Sequence, residues 1–185
     1  MRAGLSICVY CASIETIAPH YPKLAAEVGT AIAARGWELV SGGGRRSMMG
    51  AVATAARAGG ARTTGVIPRS LVDREWADHD SDELLVVDTM RERKALMEAH
   101  ADAFLVLPGG IGTCEELFEM WTSGYLGMHR KPVVLLDPDD HWTGLLDWVR
   151  GLGERGFVVP EALAYLTVAT GIPEALDACA NGIGA

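Results

Sequence analysis

Two four-residue runs, Phe104-Leu105-Val106-Leu107 and Val133-Val134-Leu135-Leu136, are apolar at every position. Successive side chains of a strand point to opposite faces, so a run without polar alternation predicts a strand buried on both sides. A sheet with helices packed on both faces supplies that environment, and such sheets are parallel. The rest of the chain fits this frame. Apolar runs at 5–10, 37–41, 64–67 and 84–88, and the two above extended to 103–107 and 132–137, are the candidate strands. Helical segments alternate with them. Residues 21–34 carry Leu24, Val28, Ala31 and Ile32 near a 3.6-residue stripe, with Gly36 just beyond. Further helices are expected at 48–58, 90–101, 113–125, 142–154 and 173–181. Strands alternating with helices imply right-handed crossovers. The expected fold class is therefore α/β: a Rossmann-like doubly wound parallel sheet, forming a single domain over residues 1–185. A chain of 185 residues is long enough for one full core. The connection 69–81 is the one polar, irregular stretch, and Trp76 within it suggests a lid or an interface.

Charge narrows the partners. The formal net charge is −8, and no Lys/Arg cluster offers a track for a nucleic acid, so no nucleic-acid partner is expected. A local basic pocket for one phosphate is compatible with that balance. No apolar run approaches the roughly 20 residues that span a bilayer, and Met1-Arg2-Ala3-Gly4 leads straight into an apolar strand rather than a signal peptide. No membrane partner is expected, and the expected location is cytoplasmic.

Cys8-Val9-Tyr10-Cys11 has redox or metal C-x-x-C spacing. Within a strand, however, residues three apart face opposite ways, whereas a redox pair sits at a helix N-terminus. A structural reading is favoured. No second pair completes a zinc site, and His20, His79, His100, His129 and His141 lack metal-ligand spacing.

Two glycine loops join a strand to a helix. Ser41-Gly42-Gly43-Gly44 precedes 48–58, and Pro108-Gly109-Gly110-Ile111-Gly112-Thr113 precedes the 113–125 helix. Residues without side chains let backbone N–H groups approach an anion, and the helix N-terminus adds partial positive charge. Glycine also serves ordinary tight turns, but two such loops at equivalent ends of one sheet point to a phosphate-bearing ligand. Neither is a dinucleotide fingerprint, and no G-x-x-x-x-G-K-[ST] sequence is present. Thr113-Cys114-Glu115-Glu116 supports two readings. It has capping-box spacing, with Thr113 as the cap. Alternatively, Glu116 stands at the mouth of the glycine cradle, where a carboxylate meets a ribose. Met90-Arg91-Glu92-Arg93-Lys94 places three cations at a helix N-terminus, against the helix dipole. That arrangement asks for an anionic ligand or an acidic neighbour.

At these residues the chain resembles the LONELY GUY (LOG) family, the cytokinin riboside 5′-monophosphate phosphoribohydrolases. The signature P-G-G-x-G-T-x-x-E is matched in full by Pro108 through Glu116. A second signature, M-H-x-R-K, is matched at Met90, Arg93 and Lys94, with Arg91 in place of His. The likeness extends over 7–13, 41–50, 65–68, 127–129 and 131–133. Ala12, Ser41 and Ser47 depart from the usual Gly, Tyr and Gly.

The resemblance implies hydrolysis of the N-glycosidic bond of AMP or an N6-substituted adenosine monophosphate, with release of the free base and ribose 5-phosphate. It implies Arg93 and Glu116 as the catalytic pair. Substrate-binding positions carry over to Glu75, Arg93, Lys94, Gly110, Ile111, Gly112, Thr113, Cys114, Glu115, Glu116 and Thr122. Ser13, Gly43, Gly44, Met90 and Gly109 complete the candidate set. A carboxylate beneath the sugar suits a reaction that builds positive charge on the ribose. No metal and no cofactor are required. Some relatives carry a lysine decarboxylase label, yet no Lys-centred pyridoxal phosphate site is evident. A homodimer is expected, built partly on 113–125 and the segment after it through Met120, Trp121, Tyr125, Leu126 and Met128; the alternative is that this helix is buried within the monomer. The rivals are a non-catalytic nucleotide-binding or cofactor-carrier protein on the same fold, and a dinucleotide-dependent oxidoreductase.

Overall fold

The structure, a computed structural model, describes residues 4–73 and 76–182. Its elements in chain order are β1 (Ser6–Tyr10), α1 (His20–Ala34), β2 (Glu38–Ser41), α2 (Ser47–Ala58), β3 (Thr63–Pro68), β4 (Glu83–Val87), α3 (Met90–His100), β5 (Ala103–Val106), α4 (Ile111–Tyr125), β6 (Val133–Leu136), α5 (Thr143–Glu154), α6 (Pro160–Tyr165), β7 (Leu166–Ala169) and α7 (Ile172–Asn181). One seven-stranded sheet has the order β4-β3-β2-β1-β5-β6-β7. Every pairing in it is parallel. This is the Rossmann-like α/β domain expected from the doubly apolar runs.

Period-two alternation divides the core into two layers. Ile7, Val9, Leu39, Leu105 and Val134 pack with Val28, Ile32, Val52 and Leu176 from α1, α2 and α7. On the other face Cys8, Tyr10, Val40, Phe104, Val106, Val133 and Leu135 pack with Met97, Leu117, Met120 and Leu146 from α3, α4 and α5. Cys8 lies in the second layer and Cys11 in the first. Both thiols are buried and free, and burial pushes both well above the ordinary thiol range. The C-x-x-C spacing therefore serves packing.

Sequence reasoning missed α6 and β7. Leu166-Thr167-Val168-Ala169 is short, sits at the sheet edge against β6 alone, and leaves Thr167 and Val168 exposed. It lacks the continuous apolar pattern of the central strands. The connection after β3 forms a 3-10 turn at Arg69–Leu71 and then folds back. Gly44 and Ala77 form an isolated antiparallel bridge, and Asp78 N–H donates to the Gly43 carbonyl at 2.8 Å. Asp78 is buried and accepts two hydrogen bonds from the Arg57 guanidinium, at 2.7 and 3.2 Å. Trp76 remains 60% exposed with Arg46 stacked 4.5 Å from its ring centroid.

Candidate active site

The strand order reverses between β1 and β5. In an open α/β sheet the crevice beyond the carboxyl ends at that reversal is where ligands bind. A cavity of about 580 Å³ occupies this place. Its floor is the chain leaving β1, Cys11-Ala12-Ser13, and the chain leaving β5, Pro108 through Thr113. Met48 and Met49 from α2, Arg93 from α3, Glu115 and Glu116 from α4, and His141 from the loop before α5 complete much of the wall.

The second glycine loop has a defined geometry. Gly110 is the N-cap of α4, with no side-chain cap, and Ile111 is the first helical residue. The loop therefore presents backbone at a helix N-terminus without a competing side chain, as an anion site requires. Thr113 is the third helical residue, buried under the loop. A Cβ at Gly109 would lie 2.1 Å from the Thr113 hydroxyl, so close packing of loop on helix demands glycine there. This start excludes Thr113 as N-cap and with it the capping-box reading of Glu116. Glu116 sits in the second turn of α4, half-buried, on the cavity wall.

The capping box belongs to α3 instead. The Thr89 side chain accepts from Glu92 N–H, and the Glu92 carboxylate accepts from Thr89 N–H. Glu92 thus offsets the cations around it. The ammonium of Lys94 forms ion pairs with Glu115 and Glu119 of α4, the acidic neighbours that its position called for. Arg93 turns inward and is 4% exposed. Its Nε donates to the Val66 carbonyl at 3.1 Å and its Nη2 to the Gly42 carbonyl at 2.8 Å.

Of the candidate site residues, Ser13, Met90, Arg93, Gly109, Gly110, Ile111, Gly112, Thr113, Glu115 and Glu116 meet at this cavity. Gly43, Gly44, Lys94, Cys114 and Thr122 do not line it. The first glycine loop turns its backbone to Arg93 and to the 76–78 segment, which accounts for Gly43 and Gly44. Lys94 is held by α4, Cys114 packs against the second core layer, and Thr122 is exposed on α4. Glu75 lies outside the described residues. Sequence reasoning missed Ile14, Ile17, Tyr21, Met48, Met49, Leu71 and His141, which also line the cavity. They come from the loop after β1, the first turns of α1 and α2, the turn after β3 and the loop before α5, and share no motif spacing; only their position beyond strand ends could have marked them.

The cytokinin riboside 5′-monophosphate phosphoribohydrolase of Mycobacterium tuberculosis is 58% identical over 175 residues, 95% of this chain and 93% of that protein. This chain belongs to the LOG family. A LOG protein of the same description from Arabidopsis thaliana is 40% identical over 168 residues, 91% of this chain and 77% of its own. A family model described as "Possible lysine decarboxylase" matches residues 49–179. The lysines are Lys23, Lys94 and Lys131, and none lines the cavity, so the site does not fit a pyridoxal phosphate Schiff base. Among solved structures, the molybdenum cofactor carrier protein of Chlamydomonas reinhardtii superposes with a TM-score of 0.75 at 20% identity, covering 98% of this chain and 99% of that one. A molybdenum cofactor binding protein from Rippkaea orientalis gives 0.70 at 21%, covering 96% of each chain. At such identities the likeness to these two shows a shared fold alone.

Proposed function

We propose that the chain hydrolyses the N-glycosidic bond of a cytokinin riboside 5′-monophosphate or of AMP, giving free base and ribose 5-phosphate. The observation that carries this reading is one cavity that unites an open glycine loop at a helix N-terminus, a buried arginine and the Glu116 carboxylate. The identity to the M. tuberculosis phosphoribohydrolase supports it. The 5′-phosphate binds at Gly109 through Gly112, and that remote binding energy fixes the ribose for reaction. As the bond from C1′ to the base nitrogen lengthens, positive charge grows on the ribose. Glu116 stabilises that charge and orients water toward C1′. Water supplies the new C1′ hydroxyl, its proton passes to the carboxylate, and the departing base keeps the bonding electrons and takes up a proton. Arg93 positions the sugar phosphate.

The chain acts in the cytoplasm as a homodimer. The structure buries Met120 and Trp121 inside the monomer, while Tyr125, Leu126 and Met128 stay exposed at the end of α4. These three supply the apolar surface for the second copy. Incubation with AMP and with isopentenyladenosine monophosphate, followed by chromatography for free base, tests the reaction. Release of base from either supports it, and intact nucleotide after prolonged incubation rejects it. A monomeric mass in solution at micromolar concentration rejects the dimer.

A further inference from the structure

His141 stands on the rim of the cavity, and its Nε2 reaches two groups of one residue. Gly109 N–H points at Nε2 across 3.2 Å, and the Gly109 carbonyl oxygen lies 3.0 Å from the same nitrogen. One imidazole nitrogen cannot serve both at once. Unprotonated, it accepts from the N–H; protonated, it donates to the carbonyl. Gly109 opens the glycine loop, so its N–H is one of those that the loop offers to an anion.

The frame around His141 is stiff. Asp140 adopts φ 60°, a left-handed conformation that Asp tolerates, and its carbonyl accepts from Thr143 N–H at 3.3 Å. The next residue, Trp142, is buried, and its N–H is held by both oxygens of the buried Asp137 at 3.3 Å. The imidazole packs edge-on to Trp142 at 4.7 Å and to Tyr21 of α1 at 5.9 Å. Its Nδ1 has no hydrogen-bond partner among the described residues and the side chain is exposed, so protons exchange with water there. The charged and titratable groups around it are Tyr21 and His20 of α1, Asp137, Asp139 and Asp140 of its own loop, and Arg93, Glu115 and Glu116 across the cavity.

We propose that His141 is a positioning residue whose Nε2 gains a proton when an anion enters the loop, releasing Gly109 N–H to the anion while holding the Gly109 carbonyl. In the empty loop Nε2 accepts from Gly109 N–H and keeps that donor satisfied. In the occupied loop the phosphate takes the N–H, and Nε2–H clamps the carbonyl so that the peptide keeps its orientation. This rests on the reading above that Gly109 through Gly112 take the 5′-phosphate.

Two measurements on the full chain test it. The first is the protonation state of Nε2, read from imidazole ¹⁵N shifts during titration of the wild-type protein with inorganic phosphate; a His141→Gln sample assigns the signals. Nε2 is expected to move from an unprotonated to a protonated shift at saturation. The second is steady-state hydrolysis of AMP. His141→Phe removes both bonds and is expected to raise KM by about tenfold, the worth of one hydrogen bond to a charged group, and to change kcat far less. His141→Gln, whose amide both accepts and donates, is expected to restore most of the affinity. An Nε2 shift unmoved by saturating phosphate overturns the proposal, as does a Phe variant with wild-type KM or equal loss in Phe and Gln. If the wild-type protein releases no base from AMP, the functional reading falls and this proposal with it. If it turns over AMP normally while His141→Phe matches it, this proposal alone falls.

Discussion

Arg93 Nη2 donates to the carbonyl oxygen of Gly42 across 2.8 Å, joining the first turn of α3 to the loop after β2. With Nε on the Val66 carbonyl at 3.1 Å, the contact fixes the plane of the guanidinium inside the protein. A Cβ at residue 42 would lie 2.1 Å from Nη2, so glycine at this position makes room for arginine. Gly42→Ala is therefore expected to displace the guanidinium without touching the substrate directly. A displacement of about 1 Å at a reacting centre costs on the order of 10²-fold in rate. Assaying kcat/KM of Gly42→Ala on AMP checks this; near-normal activity would show that the position of Arg93 does not matter.

The second glycine loop gives a sharper contrast. A Cβ at Gly109 meets the Thr113 side chain, whereas nothing lies within 4 Å of a Cβ at Gly110 or Gly112. Gly109→Ala is expected to lower Tm, with overpacking of about 1–3 kcal/mol. Gly110→Ala is expected to leave Tm nearly unchanged while raising KM for AMP, because the added methyl fills space meant for the ligand. Thermal melts and KM values for the two variants decide it. Equal Tm losses would mean that the loop packs differently from the geometry described.

Much of this was legible in the chain and some was not, for identifiable reasons. The apolar runs 104–107 and 133–136 announce β5 and β6 because burial on both faces leaves no polar position. The glycine loop and Glu116 are contiguous in sequence, so their joint chemistry is readable as a motif. Arg93 was readable as a misplaced cation, but its partners Gly42 and Val66 lie far away in sequence, and propensity carries no trace of them. Thr113 to Glu116 has capping-box spacing, which left two readings open in the sequence, but α4 starts at Ile111, two residues before Thr113, and the box forms at Thr89 and Glu92. His141 has no local signal at all, since its role comes from where a loop ends in space.

Asp78 ties the 76–81 segment to the first glycine loop. It is buried, bonded to Arg57 by two contacts, and accepts from the Ser81 hydroxyl at 3.2 Å. Asp78→Asn strips the charge from a buried pair and leaves Arg57 with only 19% of its side chain exposed. A loss of about 3 kcal/mol is expected. Urea denaturation at neutral pH measures it, and a loss below about 0.5 kcal/mol, the range of ordinary surface changes, would contradict the assignment.

His129 predicts a pH dependence of stability. It is buried, its Nε2 lies 2.9 Å from the Met120 carbonyl, and its Nδ1 accepts from Lys131 N–H at 3.1 Å. That pairing needs the neutral ring with the proton on Nε2. Burial is the largest influence and holds the pKa below the ordinary histidine value. The folded chain therefore binds this proton at lower pH than the unfolded chain does. The contribution is complete above the unfolded value, near 6.5, and is lost as pH falls from there through the folded value. Comparing Tm at pH 7.5 and pH 5.5, wild type is expected to lose more than His129→Gln. Equal losses would remove His129 as the source.

The most direct test of the account is the turnover of AMP by Glu116→Gln. Gln keeps the shape of the side chain and removes its charge. Loss of transition-state stabilisation predicts a fall in kcat of on the order of 10² or more, roughly 3 kcal/mol in the barrier, with a much smaller change in KM. Glu115→Gln, which removes one of the carboxylates on Lys94, is expected to retain far more activity. A folded Glu116→Gln variant that releases adenine from AMP at near wild-type kcat would contradict the assignment of Glu116 to the ribose cation.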